Sequence, residues 1–139
     1  LIFESDLERV KESAEVTIKI LNLKIPVIET SALRERSYGI YTQKDKDFVK
    51  KELGTDYEKF HRGWDYPIKD GESLKQVYVR VVPYFLLEIE PRLKNGKNII
   101  VFASGNSLRA LCKYIKNISD EDIANFEIKT GEVLIIDYT

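Results

Sequence analysis

The stretch Phe102–Arg109, FASGNSLR, holds the residues best placed for chemistry on an anion. An apolar run, NIIVF, leads into it and a helix-like run, LRALCKYI, leads out, so a strand delivers a small polar turn to the start of a helix. Ser104 stands at the strand's carboxyl end, and Gly105, Asn106 and Ser107 make the first helical turn. Backbone N–H groups without intrahelical partners, together with the positive end of the helix dipole, make such a turn a natural anion site. The same residues also suit a plain turn in which Ser104 or Asn106 caps the helix. Ser104 fits a nucleophile poorly. No G-x-S-x-G elbow surrounds it, and the sole histidine, His61, lies in another segment.

The second segment of interest is LRERSYG, Leu33 to Gly39. In a cleft loop, Glu35 can transfer a proton while Arg36 and Tyr38 bind an anion. Alternating charges describe a solvated surface loop equally well. Arg9, Lys46, His61 and Arg62 are further cationic candidates, and only the tertiary fold can bring them together.

The elements that must position these residues follow from periodicity. SDLERVKESAEVTIKIL spaces Leu7, Val10, Ala14, Ile18 and Leu21 as an amphipathic helix, with Ser5 and Asp6 as cap candidates. IPVIET reads as a short buried strand. KDKDFVKKEL, ended by Gly54, and DYEKFHRGW read as two short helices. SLKQVYVRVVPYFLLEIEPRLK predicts one long helix bent at Pro83 and closed by Asn95-Gly96. KNIIVFAS is apolar throughout, as expected of a parallel strand covered on both faces. Ser119 and Asp122 form a weak capping box ahead of a short helical segment, and EVLIIDY predicts a last strand. Alternating strands and helices predict an α/β layered fold, with ligands outside the carboxyl ends of the strands.

Length and composition narrow the partners. At 139 residues the chain is expected to form a single domain spanning 1–139. Lys+Arg 22 against Asp+Glu 23 gives a net charge of -1, which argues against nucleic acid or an acidic membrane as partner. No apolar run reaches the length of a membrane span. The single Cys112 leaves no internal disulfide and no multi-cysteine zinc site; a buried, unreactive thiol in a reducing, cytoplasmic compartment is expected. The first residue is Leu1 rather than Met, as in a processed chain or a piece of something longer.

Taken together, these motifs resemble the cofactor-dependent phosphoglycerate mutases of the histidine phosphatase superfamily, over essentially the whole chain. ESDLERVKESA is similar to that family's Ser-x-Leu-x-Arg helix. LRERSYGIYTQKDK is similar to Leu-Asn-Glu-Arg-x-Tyr-Gly and the lysine after it. FHRGWD, GESLKQVYVRVVPYF, ASGNSLRALCKYI and KTGEVLIIDY follow in the family's order. The resemblance implies a three-layer fold, a mostly parallel sheet with helices on both faces. It implies interconversion of 3- and 2-phosphoglycerate with 2,3-bisphosphoglycerate as cofactor and no metal. It also implies Arg9 and Arg62 on phosphate, Glu35 in proton transfer, and Arg36, Tyr38 and Lys46 on substrate. Gly105 and Asn106 would offer helix-end donors to the phosphoryl group, an array suited to phosphoryl transfer.

The departures from the family point the other way. Its Arg-His-Gly strand, which carries the nucleophilic histidine, does not occur in this chain. Ser104 stands where the family has its other active-site histidine, and a hydroxyl can neither carry imidazolium charge nor accept phosphate as imidazole does. His61 replaces the first of two paired arginines, Glu127 replaces an asparagine, and the lid segment is shortened to YPIKDG, which favours hydrolysis over transfer. Three readings stay open. One is a mutase whose first strand is supplied from elsewhere. Another is a non-catalytic mutase-like subunit with a structural or regulatory role. The third is a phosphatase of the same superfamily, against which LRERSYG counts. Because the family's missing strand is central, the chain is expected either to aggregate or to be completed by a partner, a homo-oligomer or its own missing segment.

Overall fold

The strand on which the others are laid is Ile2–Ser5 (β1), buried at all four positions. The computed structural model describes residues 1–138. In it, β1 pairs in parallel with Val27–Thr30 (β2) on one side and Ile100–Phe102 (β3) on the other. The order is β2-β1-β3, with Ile2 opposite both Val27 and Ile100. Alternate residues of a strand face opposite ways, so β1 serves two layers. Phe3 enters the main core with Leu33, Leu74, Val77, Ala110 and Leu111. Ile2 and Glu4 face the other side, toward Glu8–Ile20 (α1), whose Val10 and Ala14 are buried one turn apart. Burial beside Glu29 raises the Glu4 pKa, with Lys11 pulling against it.

The opposite layer is built from Leu74–Tyr84 (α4) and Gly105–Ile115 (α6). Between them and the sheet lies an almost wholly apolar core that continues through Phe85, Ile89 and Ile123. The expected three-layer α/β fold with a parallel sheet is therefore present. Two short helices, Lys46–Leu53 (α2) and Tyr57–Arg62 (α3), close a second, smaller cluster of Val49, Tyr57, Phe60 and Ile68. Gly54 ends α2 at a φ of 55°, a conformation in which glycine is favoured. No helix among the described residues is long and apolar enough to cross a membrane.

Four expectations change. β1 is not visible as a separate element in the sequence, because four residues are too few to show a period ahead of a strong helical pattern. The helix begins at Glu8 with Leu7 at its cap and no side-chain cap bond. Ser5 and Asp6 are otherwise engaged: Ser5 Oγ accepts from the Leu7 N–H, and Asp6 holds Arg34. The long helix does change form at Pro83, but by becoming a π turn over Phe85–Ile89 before Glu90–Lys94 (α5). Pro83 has no N–H for the preceding turn, which loosens the ladder at that point. Finally, among the described residues β3 is an edge strand with Ile100 exposed, and EVLIIDY forms no strand. Val133 and Ile135 are 81% and 94% exposed, and the segment is tied back where the Tyr138 hydroxyl donates to Glu90. A strand needs a neighbour for its ladder, and none is adjacent.

The loop after β2 carries the second chemical segment, and three contacts fix its course. Gly39 has a φ of 50°, and a Cβ there would meet the Lys69 carbonyl oxygen at 2.1 Å, so the loop backbone lies directly on the 69–72 turn. The Ile40 N–H donates to Lys69 O at 3.1 Å and the Glu72 N–H to Ser37 O at 2.8 Å. Arg80 of α4 then reaches across. Its guanidinium donates to the carbonyls of Ala32, Arg34 and Glu35 at 2.7, 2.8 and 3.1 Å while pairing with Glu72 at 2.8 Å. The start of α4 is secured by reciprocal bonds between Ser73 and Gln76, a capping box in which Ser73 is itself buried.

Two outcomes are expected. Ser73→Ala removes the cap and should lower the unfolding free energy by about 1 kcal/mol, read from chemical denaturation. Burial raises the Glu72 pKa, but the Arg80 hydrogen bond and the Ser37 N–H outweigh it and the net value falls below the ordinary 4.5. The stability Glu72 supplies is therefore present above 4.5 and lost as pH falls through its lower folded value. Glu72→Gln should destabilise the protein at neutral pH and flatten the acid limb of its stability profile. An unchanged acid limb would show that Glu72 is not coupled to folding.

Candidate functional site

The carboxyl ends of β1 and β3, the loop after β2 and the end of α3 meet at the N-terminus of α6. Ser104 is the cap residue of α6, with extended dihedrals and no side-chain cap bond. Of the two readings of the turn, side-chain capping by Ser104 is thus not the one adopted. The Ser104 hydroxyl instead accepts from Arg9 Nη2 at 3.4 Å, which places an exposed guanidinium beside the first turn of the helix. Arg9 lies one turn along α1 from β1, and β1 neighbours β3, so the sheet order alone brings these two residues together across 95 positions.

Asn106 sits within that first turn and is buried. Its Nδ2 donates to Tyr38 Oη at 3.0 Å, and its Oδ1 accepts from Arg109 Nη1 at 3.0 Å. The side chain can therefore take only one orientation. Arg109 is locked in turn, with Nε on Phe126 O at 2.9 Å and Nη2 on the carbonyls of Ile123 and Arg62 at 2.7 and 3.0 Å. Burial, then the positive charges of Arg62 and Arg36, pull the Arg109 pKa down to about 10. Ser107 Oγ donates to the Arg34 carbonyl and ties the first turn of α6 to the loop.

Within that loop the charged residues separate. Arg34 forms a two-pronged ion pair with Asp6 at 2.7 and 2.6 Å; hydrogen bonding to Arg34 holds the Asp6 carboxyl below its ordinary value. Glu35 is half-buried, and its Oε1 accepts from the Arg36 N–H at 2.7 Å. Glu35 lines a cavity with Arg34, Ser37, Glu72 and Arg80. Arg36 turns inward: it is 2% exposed, with Nε on Glu72 O at 2.6 Å and Nη1 on Phe60 O at 3.0 Å. Its Nη2 has no partner and lies buried near the rings of Tyr38 and Phe60, and burial lowers its pKa.

Tyr38, Lys46 and His61 line a second cavity on the far side of Tyr38. His61 stacks on Tyr57 with centroids 5.5 Å apart and planes 18° apart. Burial and then Arg62 and Lys46 lower its pKa, so the imidazole is favoured in its neutral form. Arg62 donates to Glu127 at 2.9 Å, and that hydrogen bond holds the Glu127 carboxyl low. Arg9, Ser104, Gly105, Asn106, Tyr38 and Arg62 thus form one neighbourhood, Lys46 belongs to the adjoining cavity, and Glu35 and Arg36 stand behind. Sequence reading missed Arg80 and Arg109, which hold the loop and the first turn of α6. No local pattern announces an arginine whose partners are backbone carbonyls.

The profile of the histidine phosphatase superfamily (branch 1) matches residues 1–139. The 2,3-bisphosphoglycerate-dependent phosphoglycerate mutase of Staphylococcus saprophyticus is 36% identical over 169 aligned residues, covering 100% of this chain and 73% of that protein. That of Methanosarcina acetivorans is 44% identical over 117 residues, covering 83% of this chain and 47% of its own length. The chain therefore spans roughly half to three-quarters of such curated relatives. Among solved structures, a mycobacterial glucosyl-3-phosphoglycerate phosphatase superposes with a TM-score of 0.75 at 20% identity, over 90% of this chain and 62% of that one. The α-ribazole phosphatase from Shigella flexneri does so at 0.69 and 20%, over 93% and 62%. At such identities the structural likeness speaks for the fold alone, whereas the mutase relatives match in sequence across the segments that build the site. On the strength of the full-length profile match and of these mutase relatives, the chain belongs to the histidine phosphatase superfamily, branch 1, in its phosphoglycerate mutase family.

Proposed function

We propose that this chain binds a phosphoglycerate-like phosphomonoester at the N-terminus of α6 and does not transfer the phosphoryl group by itself. The observation that carries the reading is the Arg9 guanidinium on Ser104 beside a helix N-terminus that no side chain caps. Arg9 and the first-turn N–H groups at Gly105 and Asn106 take the phosphate. Tyr38, fixed by Asn106, and Lys46 contact the rest of the ligand, and Arg62 joins once Glu127 releases it. Arg36 acts from behind, holding the backbone on which Tyr38 stands. Glu35 is the carboxylate for proton transfer, and it reaches a ligand after leaving the Arg36 N–H. The same anion site suits 2,3-bisphosphoglycerate. A cytoplasmic setting agrees with the buried, unreactive Cys112, whose pKa burial raises.

Two features support the inactive half of the reading. Ser104 offers a hydroxyl where phosphoryl transfer in this family calls for imidazole, and a hydroxyl cannot carry the positive charge that steadies a moving phosphoryl group. The sole histidine is stacked on Tyr57. A second reading, a non-catalytic structural or regulatory subunit, is favoured by the Arg62–Glu127 pair, which neutralises a phosphate ligand within the chain. On either reading the outer edge of β3 and the exposed Val133 and Ile135 call for a covering strand, from a second copy, a partner or a further segment of the same protein.

In calorimetric titration, Arg9→Ala should weaken binding of inorganic phosphate about tenfold, the loss of one charge-assisted contact. Unchanged binding would remove Arg9 from the site. The chain incubated with 3-phosphoglycerate and trace 2,3-bisphosphoglycerate should give no 2-phosphoglycerate above the uncatalysed rate. Turnover by material whose intact mass matches these residues alone would refute the inactive reading.

A further inference from the structure

One buried guanidinium sets the end of α3 opposite the segment that follows Ile123. Arg109 Nη2 donates to the carbonyl of Arg62 at 3.0 Å, and its Nε donates to the carbonyl of Phe126 at 2.9 Å. The same group reaches Asn106 Oδ1 at 3.0 Å through Nη1 and Ile123 O at 2.7 Å through Nη2. A guanidinium is planar with its donors at fixed angles, so backbones bound to one such group keep fixed places relative to one another. The Phe126 N–H adds a bond to Ile123 O at 3.2 Å, and Ile123 is wholly buried. Glu127, the next residue, therefore leaves a braced backbone, and Arg62 leaves another at the same guanidinium.

The two side chains meet. Arg62 Nη2 donates to Glu127 Oε1 at 2.9 Å. Arg9, Lys44 and Lys46 are in no ion pair among the described residues, so Arg62 is set apart from the other cations around the site. A carboxylate on a guanidinium is also the contact that an acidic group of a ligand would make there. It offsets repulsion, because the charges of Arg62 and Arg36 both act on Arg109. The pair is open to exchange. The Arg62 and Glu127 side chains are 28% and 57% exposed, and a pair so accessible to water is weak where a buried one is costly to break.

We propose that Glu127 is an internal competitor for Arg62: its carboxylate takes the guanidinium contact that an acidic group of the ligand needs, so a ligand gains Arg62 only by displacing it. This rests on the phosphate site proposed above and regulates it; the phosphoglycerate-like ligand is unchanged. Displacement favours the phosphoryl end of such a ligand over its carboxyl end. A phosphoryl group brings about two charges and three acceptor oxygens, whereas a carboxyl group only matches what Glu127 already supplies. Glu127 thus sets the orientation of the ligand. The phosphoryl group goes to Arg9 and Arg62, and the carboxyl group is left to Lys44 and Lys46, which line the cavity beyond Tyr38.

The test is calorimetric titration of the full chain with inorganic phosphate. Glu127→Gln should bind phosphate about fivefold more tightly than the unaltered chain, the scale of a half-exposed ion pair. Loss of a merely structural contact would weaken binding instead. Once Arg62→Ala has removed the contested group, Glu127→Gln should change the affinity by less than about twofold. In the unaltered chain, the Glu127 carboxyl followed by carbon NMR should titrate at a higher pH under saturating phosphate, because its hydrogen bond to Arg62 is what holds it low. That readout decides should Glu127→Gln fail to fold. Unchanged or weaker binding by folded Glu127→Gln, an equal gain without Arg62, or a carboxyl titration indifferent to phosphate overturns the competitor and leaves the phosphate site standing. No phosphate binding by either the unaltered chain or Glu127→Gln overturns both.

Discussion

One guanidinium holds the functional half of the molecule together. Arg80 projects from α4 and gathers the carbonyls of Ala32, Arg34 and Glu35, with Glu72 as its counter-ion. A loop with no regular secondary structure has backbone acceptors to satisfy, and leaving them unpaired beside a core is costly. Arg80 satisfies three with one planar group and anchors them to a helix whose other face is buried. Tyr38, Asn106 and Arg109 depend on that anchorage, because the loop must lie against the first turn of α6 for the Tyr38 hydroxyl to meet Asn106. Gly39 sets the same distance from the other side by bringing two backbones into contact.

Positive charge is concentrated behind this surface to an extent that needs explanation. Arg36 and Arg109 are both buried without a carboxylate of their own, and both have depressed pKa values, chiefly from burial. Their guanidinium groups are held by carbonyls, whose dipoles supply what a counter-ion would otherwise give. Each also raises the cost of the other, since like charges in a dry interior repel. Such an arrangement leaves a positive field directed at the α6 N-terminus, to which the helix dipole adds. An anion at that point would relieve repulsion as well as gain hydrogen bonds. The Arg62–Glu127 ion pair works against this field by adding a negative charge at its margin.

The fold class, most helices, two of the three strands and the strand-to-helix turn at Ser104–Ser107 were legible in the sequence because each is written in a local period or a local turn. β1 was not, since its role as central strand is decided by what pairs with it from positions 27–30 and 100–102. EVLIIDY shows the converse: its β-forming composition is plain, yet composition cannot supply the neighbour a ladder requires. The candidate residues were named through motif resemblance, but their state was not legible. Whether Arg62 is open or paired depends on Glu127, 65 positions away. Whether Arg36 faces a ligand or the interior depends on the carbonyls of Phe60 and Glu72.

The π turn after Pro83 also bears on how the core is encoded. From Val77 onward the buried positions of this helical run recur every fourth residue, at Val81, Phe85 and Ile89, with Leu93 packed against them. In an α-helix each such step would rotate the side chain by about 40°, so four steps would carry Leu93 roughly 160° away from the face that holds Val77. Widening the turn over Phe85–Ile89 absorbs part of that rotation and keeps the row aimed at the sheet. The spacing of the apolar residues thus dictates the winding of the backbone here, in the way a heptad dictates supercoiling. An α-helical pitch over Phe85–Ile89 with all five residues kept would turn α5 about its own axis by about a quarter turn, taking Glu90 away from Tyr138. The final segment of the chain would lose its mooring through a change made nearly fifty positions upstream.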